Sequence, residues 1–127
     1  MSGNAKVILV VEDDETLRLL ATKQLAKLGF EGHAVADGSE AVEKASTVDY
    51  SLILMDIQMP RMDGIEATSA IRQLETSKKN PRVPIIAMTA NPDRQRCLDA
   101  GMDDFIFKPV MLGQLRELLD RWLPAAS

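Results

Sequence analysis

The chain has 127 residues, short of one ~150-residue domain by the usual prior yet long enough for a single core. Hydrophobic residues make up 46% and charged residues 27%, which excludes a disordered chain. A net charge of −4, with a pI near 5.0, argues against a generally basic surface for nucleic acid or anionic lipid. One cysteine, Cys97, excludes an internal disulfide, and one histidine, His33, excludes a multi-histidine metal site. The longest fully apolar run, Val7 to Val11, falls far short of the ~20 residues that cross a bilayer, and Met1 to Lys6 has no hydrophobic signal core. The expectation is a cytoplasmic domain with no membrane insertion and no nucleic-acid partner.

Taken in order, the segments alternate between two periods. Val7 to Val11 is a β-branched run, read as a strand buried on both faces. Leu17, Leu20, Ala21, Leu25 and Leu28 recur at helical spacing, with Gly29 as the stop. His33 to Ala36 is a weaker strand at an edge, and Ala41, Val42 and Ala45 mark a short helix. Leu52 to Met55 is a second strongly apolar strand. Ile65, Ala67, Ala70, Ile71 and Leu74 define a helix beginning near Asp63, and the polar stretch Glu75 to Arg82 reads as a loop. Val83 to Met88 is a fourth strand, Pro92 to Ala100 a short helix, and Phe105 to Phe107 a fifth strand. Leu112, Leu115, Leu118, Leu119, Trp122 and Leu123 make an amphipathic last helix.

This is βα five times over in one domain, 1–127, with a core from about 6 to 123. Strict alternation predicts an α/β, doubly wound, flavodoxin-like (βα)5 fold. Its five-stranded parallel sheet runs 2-1-3-4-5, with helices on both faces. Ligands then sit beyond the carboxyl ends, at the switch between strands 1 and 3.

Chemistry stands at those ends. Strand 1 runs into Glu12-Asp13-Asp14-Glu15, strand 3 into Asp56, strand 4 into Thr89 and strand 5 into Lys108. Asp13, Asp14 and Glu15 alone read as charge complementing a helix dipole. Asp56 alone could be a turn residue, Thr89 an ordinary strand end, and Lys108 a side chain reaching for solvent. The coincidence at neighbouring strand ends changes the weight. Three converging carboxylates, Glu12, Asp13 and Asp56, repel one another without a cation, and hard oxygen ligands suit Mg²⁺. Lys108 beside them can pair with Asp56 or hold a phosphoryl oxygen. His33 and Cys97 read as structural and packing residues.

Glu12-Asp13, Met55-Asp56 with Met59-Pro60 and Asp63-Gly64, Thr89-Ala90 and Lys108-Pro109 resemble the receiver domain of two-component response regulators. The wording of Met55 to Gly64, Pro84 to Asn91 and Cys97 to Pro109 is similar to receiver modules of hybrid sensor histidine kinases. The resemblance implies that Asp56 is the phosphoacceptor, taking a phosphoryl group from a phosphohistidine. It implies Mg²⁺ held by Glu12, Asp13, Asp56 and the backbone carbonyl of Gln58, and a cis Lys108-Pro109 bond. It also implies that Lys108 and the metal neutralise developing charge, and that Thr89 and Phe105 form a coupled switch pair. Family members often carry tyrosine where Phe105 stands, so a partner contact through that hydroxyl is lost here. Gln58, Asn91 and Pro109 stand at positions that shape the loops or tune the acyl phosphate. The implied partners are a histidine kinase or a histidine phosphotransfer protein, with a downstream protein on the helix 4–strand 5–helix 5 face. The domain would catalyse its own phosphorylation and dephosphorylation without being a free-standing turnover enzyme.

Alternatives belong to other classes. A phosphatase of the haloacid-dehalogenase type needs its aspartate where Glu12 stands. A flavodoxin-like binder needs a first loop that accepts phosphate, not four acidic residues in a row. An unphosphorylated scaffold leaves the full acidic set with Asp56, Thr89 and Lys108 unexplained. The segment Pro92 to Arg96 is shorter than in the hybrid-kinase receivers, which predicts that Asn91 caps a helix from Pro92 to Ala100.

Overall fold

A computed structural model describes residues 6–57, 63–90 and 94–124. The strands are β1 (Val7–Val11), β2 (Glu31–Val35), β3 (Leu52–Asp56), β4 (Ile85–Thr89) and β5 (Asp104–Phe107). The helices are α1 (Glu15–Lys27), α2 (Gly38–Thr47), α3 (Gly64–Lys78), α4 (Arg94–Ala100) and α5 (Leu112–Trp122). All strand pairs are parallel, in the order β2-β1-β3-β4-β5, as alternation predicts.

Side chains of a strand alternate between faces, so each central strand feeds two cores. Leu9, Val11, Ile53, Met55, Ile85 and Ala87 pack with Ala41 of α2, Ala67 and Ile71 of α3 and Cys97 of α4. Ile8, Val10, Leu52, Leu54, Ile86 and Met88 pack on the other face with Leu25 of α1 and Leu115, Leu118 and Leu119 of α5. Burying a Leu or Ile side chain contributes roughly 1.5–3 kcal/mol. These two layers fix the register that brings the carboxyl ends of β1, β3, β4 and β5 together.

Three expectations need correction. The segment from Glu75 is not a loop throughout, because α3 continues to Lys78. Its polar residues extend a helix whose apolar face has already been buried, and Lys79 ends it with φ 56°. Strand β2 begins at Glu31 rather than His33, because Val7 to Val11 pair with Glu31 to Val35 along their length. Strand β4 begins at Ile85 rather than Val83 and includes Thr89. A fourth difference concerns α1: Leu25 is buried, but Leu20 is 47% exposed and Leu17 is exposed too. The regular leucine spacing is therefore not a single core stripe. The proposed Asn91 cap lies outside the described residues, within which α4 runs from Arg94.

His33 is structural, as read. Its Nδ1 lies 3.0 Å from the Tyr50 hydroxyl, its Nε2 lies 2.8 Å from Glu31, and its ring meets Tyr50 edge-on. Burial pushes the Tyr50 hydroxyl pKa up.

Candidate functional site

The acidic run after β1 divides its labour. Glu12 is buried, and its backbone N–H donates to Val35 O, continuing the ladder past the strand. Asp14 is the N-cap of α1, accepting from the Leu17 N–H at 3.0 Å, and Glu15 lies in the first turn. The helix-start reading therefore holds for Asp14 and Glu15. Arg18 reaches back and donates to the carbonyls of Glu12 and Asp13 at 2.9 and 3.1 Å, bracing the turn. Nothing in the hydrophobic spacing singles Arg18 out.

Asp56 is the last residue of β3 and is 3% exposed. Gly64 is the first residue of α3, and its backbone abuts the end of β3 so closely that a Cβ there would collide with Asp56 O. Asp63 caps α3 by accepting from the Glu66 N–H at 2.9 Å. The Asp63-Gly64 pair thus starts the helix and lets it sit against Asp56 at the end of β3.

Lys108 follows β5, and its N–H donates to Thr89 O at 2.9 Å, which sets the lysine beside β4. Its Nζ lies 2.9 Å from Glu12 Oε1 and 2.9 Å from Asp56 Oδ2. The Lys108-Pro109 bond is cis, as the resemblance implied. Thr89 is buried at the end of β4. Phe105, two residues before Phe107 on β5, packs at the margin of the core and meets the Phe107 ring edge-on.

One carboxylate oxygen from each of Glu12, Asp13 and Asp56 falls within 4.8 Å of the others. Three carboxylates face one ammonium, that of Lys108, so acidic side chains are in excess in this cluster. Burial raises the pKa of Glu12, with Asp56 adding to the rise, and the hydrogen bonds from Lys108 and Asp14 N–H only partly offset it. Burial also works against the Lys108 ammonium, but its hydrogen bonds to Asp56 and Glu12 prevail and raise its pKa. A divalent cation on hard oxygen ligands would neutralise this surplus, so the residues fit Mg²⁺. Gln58 and Asn91, along with Met59 and Pro60, lie outside the described residues.

A groove of about 360 Å³ adjoins the cluster. Glu12 and Lys108 form its acidic and basic end, Leu54 and Met88 its floor, and Leu17 and Leu20 one wall. Met111 and Leu112, at the start of α5, are also exposed. Helical spacing predicts the helix that carries the α1 leucines, but their exposure beside the site is not legible from spacing alone.

A parallel sheet in this order, with a buried aspartate, two further carboxylates, a threonine and a lysine at its carboxyl ends, defines a phosphoacceptor-type signalling domain. The chain belongs to the response regulator receiver domain family, whose model matches residues 8–120. It is 47% identical over 122 residues to hybrid signal transduction histidine kinase G of Dictyostelium discoideum, covering 92% of this chain but 4% of that protein. The chain thus spans a small fraction of the curated relatives that it matches. The receiver domain of sensor histidine kinase PA1611 from Pseudomonas aeruginosa PAO1 has a TM-score of 0.85 at 41% identity, covering 96% of this chain and 100% of that one. That structure holds a magnesium ion coordinated in its active-site cleft. The receiver domain of Ssk1 from Saccharomyces cerevisiae, crystallised with the histidine phosphotransfer protein Ypd1, has a TM-score of 0.85 at 30% identity, covering 93% and 88%. This is a receiver domain of two-component signalling, and among its described residues no helix is long and apolar enough to cross a membrane.

Proposed function

We propose that the domain is a Mg²⁺-dependent phosphoacceptor switch, with Asp56 receiving a phosphoryl group from a protein-borne phosphohistidine. The observation that carries this is the buried Asp56 carboxylate, held by Lys108 within one cluster with Glu12 and Asp13. An Asp56 oxygen attacks phosphorus, the P–N bond to the donor imidazole breaks, and that nitrogen leaves with the electron pair and takes up a proton. The product is an acyl phosphate. Lys108 already faces the reacting carboxylate and is placed to hold a phosphoryl oxygen, so catalysis is positioning and electrostatics. Glu12, Asp13 and Asp56, with the Gln58 carbonyl by family resemblance, would hold Mg²⁺. When bound, the ion supplies charge neutralisation for the phosphoryl oxygens.

Thr89 and Phe105 form the switch pair, and Asn91 and Pro109 tune the loops around it. The donor is a histidine kinase or a histidine phosphotransfer protein, as the relatives and the Ypd1 complex suggest. With Asp56 so buried, the donor imidazole must enter the crevice, and the exposed leucines of α1 offer its carrier an apolar rim. A downstream protein would read the α4–β5–α5 face. We place the domain in the cytoplasm, as one unit over 1–127 that transfers phosphate to itself without turning over a free substrate.

Incubation with acetyl phosphate and Mg²⁺ should add one phosphoryl group, lost in Asp56→Asn and in chelator. Labelling that survives either change would refute the assignment. Lys108→Ala should impair the phosphorylation-dependent gain in partner affinity; an unchanged gain would remove Lys108 from the mechanism.

A further inference from the structure

The switch reading uses Phe105 and leaves Phe107 without a task. Phe107 lies on β5, an edge strand of the sheet, and is 50% exposed. Large exposed aromatics on an edge strand carry an aggregation risk, so an unused ring there is costly. Its surroundings are specific. In the β4–β5 register Ala87 pairs with Phe105 and Thr89 pairs with Phe107. Residues two apart on a strand share a face, and registered partners project from the same face. Thr89, Ala87, Phe105 and Phe107 therefore form one patch of sheet surface, with Phe107 the lateral neighbour of Thr89. The two phenylalanine rings stand at 90° with centroids 5.4 Å apart, an edge-to-face pair.

Resting on the reading above, we propose that Phe107 is a positioning residue of the switch, holding Phe105 in the partly exposed arrangement that it has at the core margin. Phe105 is partly exposed and in ring contact with a residue facing solvent. To turn inward toward the small Ala87 and Thr89, it must break this contact. A pair of this kind biases a two-state equilibrium by about two- to tenfold. Removing the Phe107 ring frees the inward arrangement, and any ligand that requires that arrangement then binds more tightly by the same factor. Phe107 thus sets the threshold of the response without touching the reacting atoms.

The test uses beryllofluoride with Mg²⁺ as a phosphoryl mimic, titrated into the full chain while the amide resonances of Thr89 and Ala90 are followed. Phe107→Ala should tighten apparent affinity about two- to tenfold. Phe107→Leu keeps apolar bulk without the ring, should move affinity in the same direction, and carries the test if the alanine variant fails to fold. In a Phe105→Leu background the Phe107 substitutions should have no effect. Unchanged affinity for both Phe107 variants would overturn the proposal, as would equal tightening with and without Phe105. If the wild-type chain itself gives no Mg²⁺-dependent response, the phosphoacceptor reading falls and takes this inference with it. If the wild type responds and the variants match it, this inference alone falls.

Discussion

Gly64→Ala is a single methyl placed against the end of β3, where Asp56 stands. An ideal Cβ at Gly64 would collide with Asp56 O and lie 2.8 Å from Ile57 Cα and 2.9 Å from Met55 Cγ. Carbon atoms settle at about 3.5–4.0 Å, so α3 and the end of β3 must separate by close to about 1 Å. Two of the three obstacles are backbone and cannot swing aside. Overpacking costs about 1–3 kcal/mol, and fixed backbone places this site near the upper end. Replacing glycine in a helix returns about 0.5–1 kcal/mol, leaving a net loss of roughly 2 kcal/mol. With a urea m-value of about 2 kcal/mol/M, the unfolding midpoint should fall by about 1 M. Gly113→Ala is the control: no neighbouring atom lies within 4 Å of its ideal Cβ, so the substitution in α5 should stabilise by about 0.5–1 kcal/mol. Because the strain falls on Asp56, Gly64→Ala should also slow phosphorylation by acetyl phosphate under conditions where the variant remains folded. A Gly64→Ala midpoint within 0.2 M (roughly) of wild type would refute the close-contact argument.

Further expectations follow from the same geometry. Arg72→Met should destabilise by about 3 kcal/mol, because it strips the guanidinium from Glu75 and Asp103, whose side chains are only 14% and 13% exposed; a loss under about 1 kcal/mol in denaturant titration would contradict it. Asp63→Ala removes the α3 cap and should cost about 1 kcal/mol by the same measurement. Millimolar Mg²⁺ should raise the melting temperature of the wild type and leave Asp13→Asn nearly unmoved; equal shifts would remove Asp13 from the ligand set. Glu12 has a raised pKa, so its folded form binds a proton more tightly than the unfolded chain does. Metal-free wild type should therefore lose stability relative to Glu12→Gln as pH rises through that raised value from about 4.5 upward, and a gap independent of pH would count against burial of the charge.

Legibility in the sequence tracked how local each cause was. Val7 to Val11 and Leu52 to Met55 announce buried strands because both faces are covered, and the strand ends then place Glu12, Asp56, Thr89 and Lys108 by topology alone. Glu31 and Gly32 carry no strand signal; they pair because β1 offers an open ladder beside them. Apolar spacing records which side of α1 is hydrophobic, not whether that side is covered, so the exposure of Leu17 and Leu20 could not be read from it. Polar networks were invisible. Arg72 and Asp103 are 31 positions apart, and only the folded chain brings them to 2.7 Å. The same holds for Asp104, which accepts from Arg121 and from Trp122 Nε1, each at 2.9 Å.

The Arg72 network has a mechanical consequence for α4. Gly101, just past the helix, accepts at its carbonyl from Arg72 Nε at 2.9 Å and from Arg82 Nη2 at 3.0 Å. Arg72 is in turn clamped to Glu75, Val83 O and Asp103. The carboxyl end of α4 is thus bolted to α3 and to the segment leading into β4, while its amino end follows Thr89 in the chain. A helix braced most firmly at its carboxyl end moves most at its amino end, where Arg96 meets Asp63 only at 3.9 Å. With seven residues at 1.5 Å each, the lever arm is about 10 Å, and a rotation of about 10° would carry its amino end through about 2 Å. Were Thr89 to shift on phosphorylation, α4 would take up the change as angle rather than translation, and a surface lying across α4 and β5 would register it as a tilt.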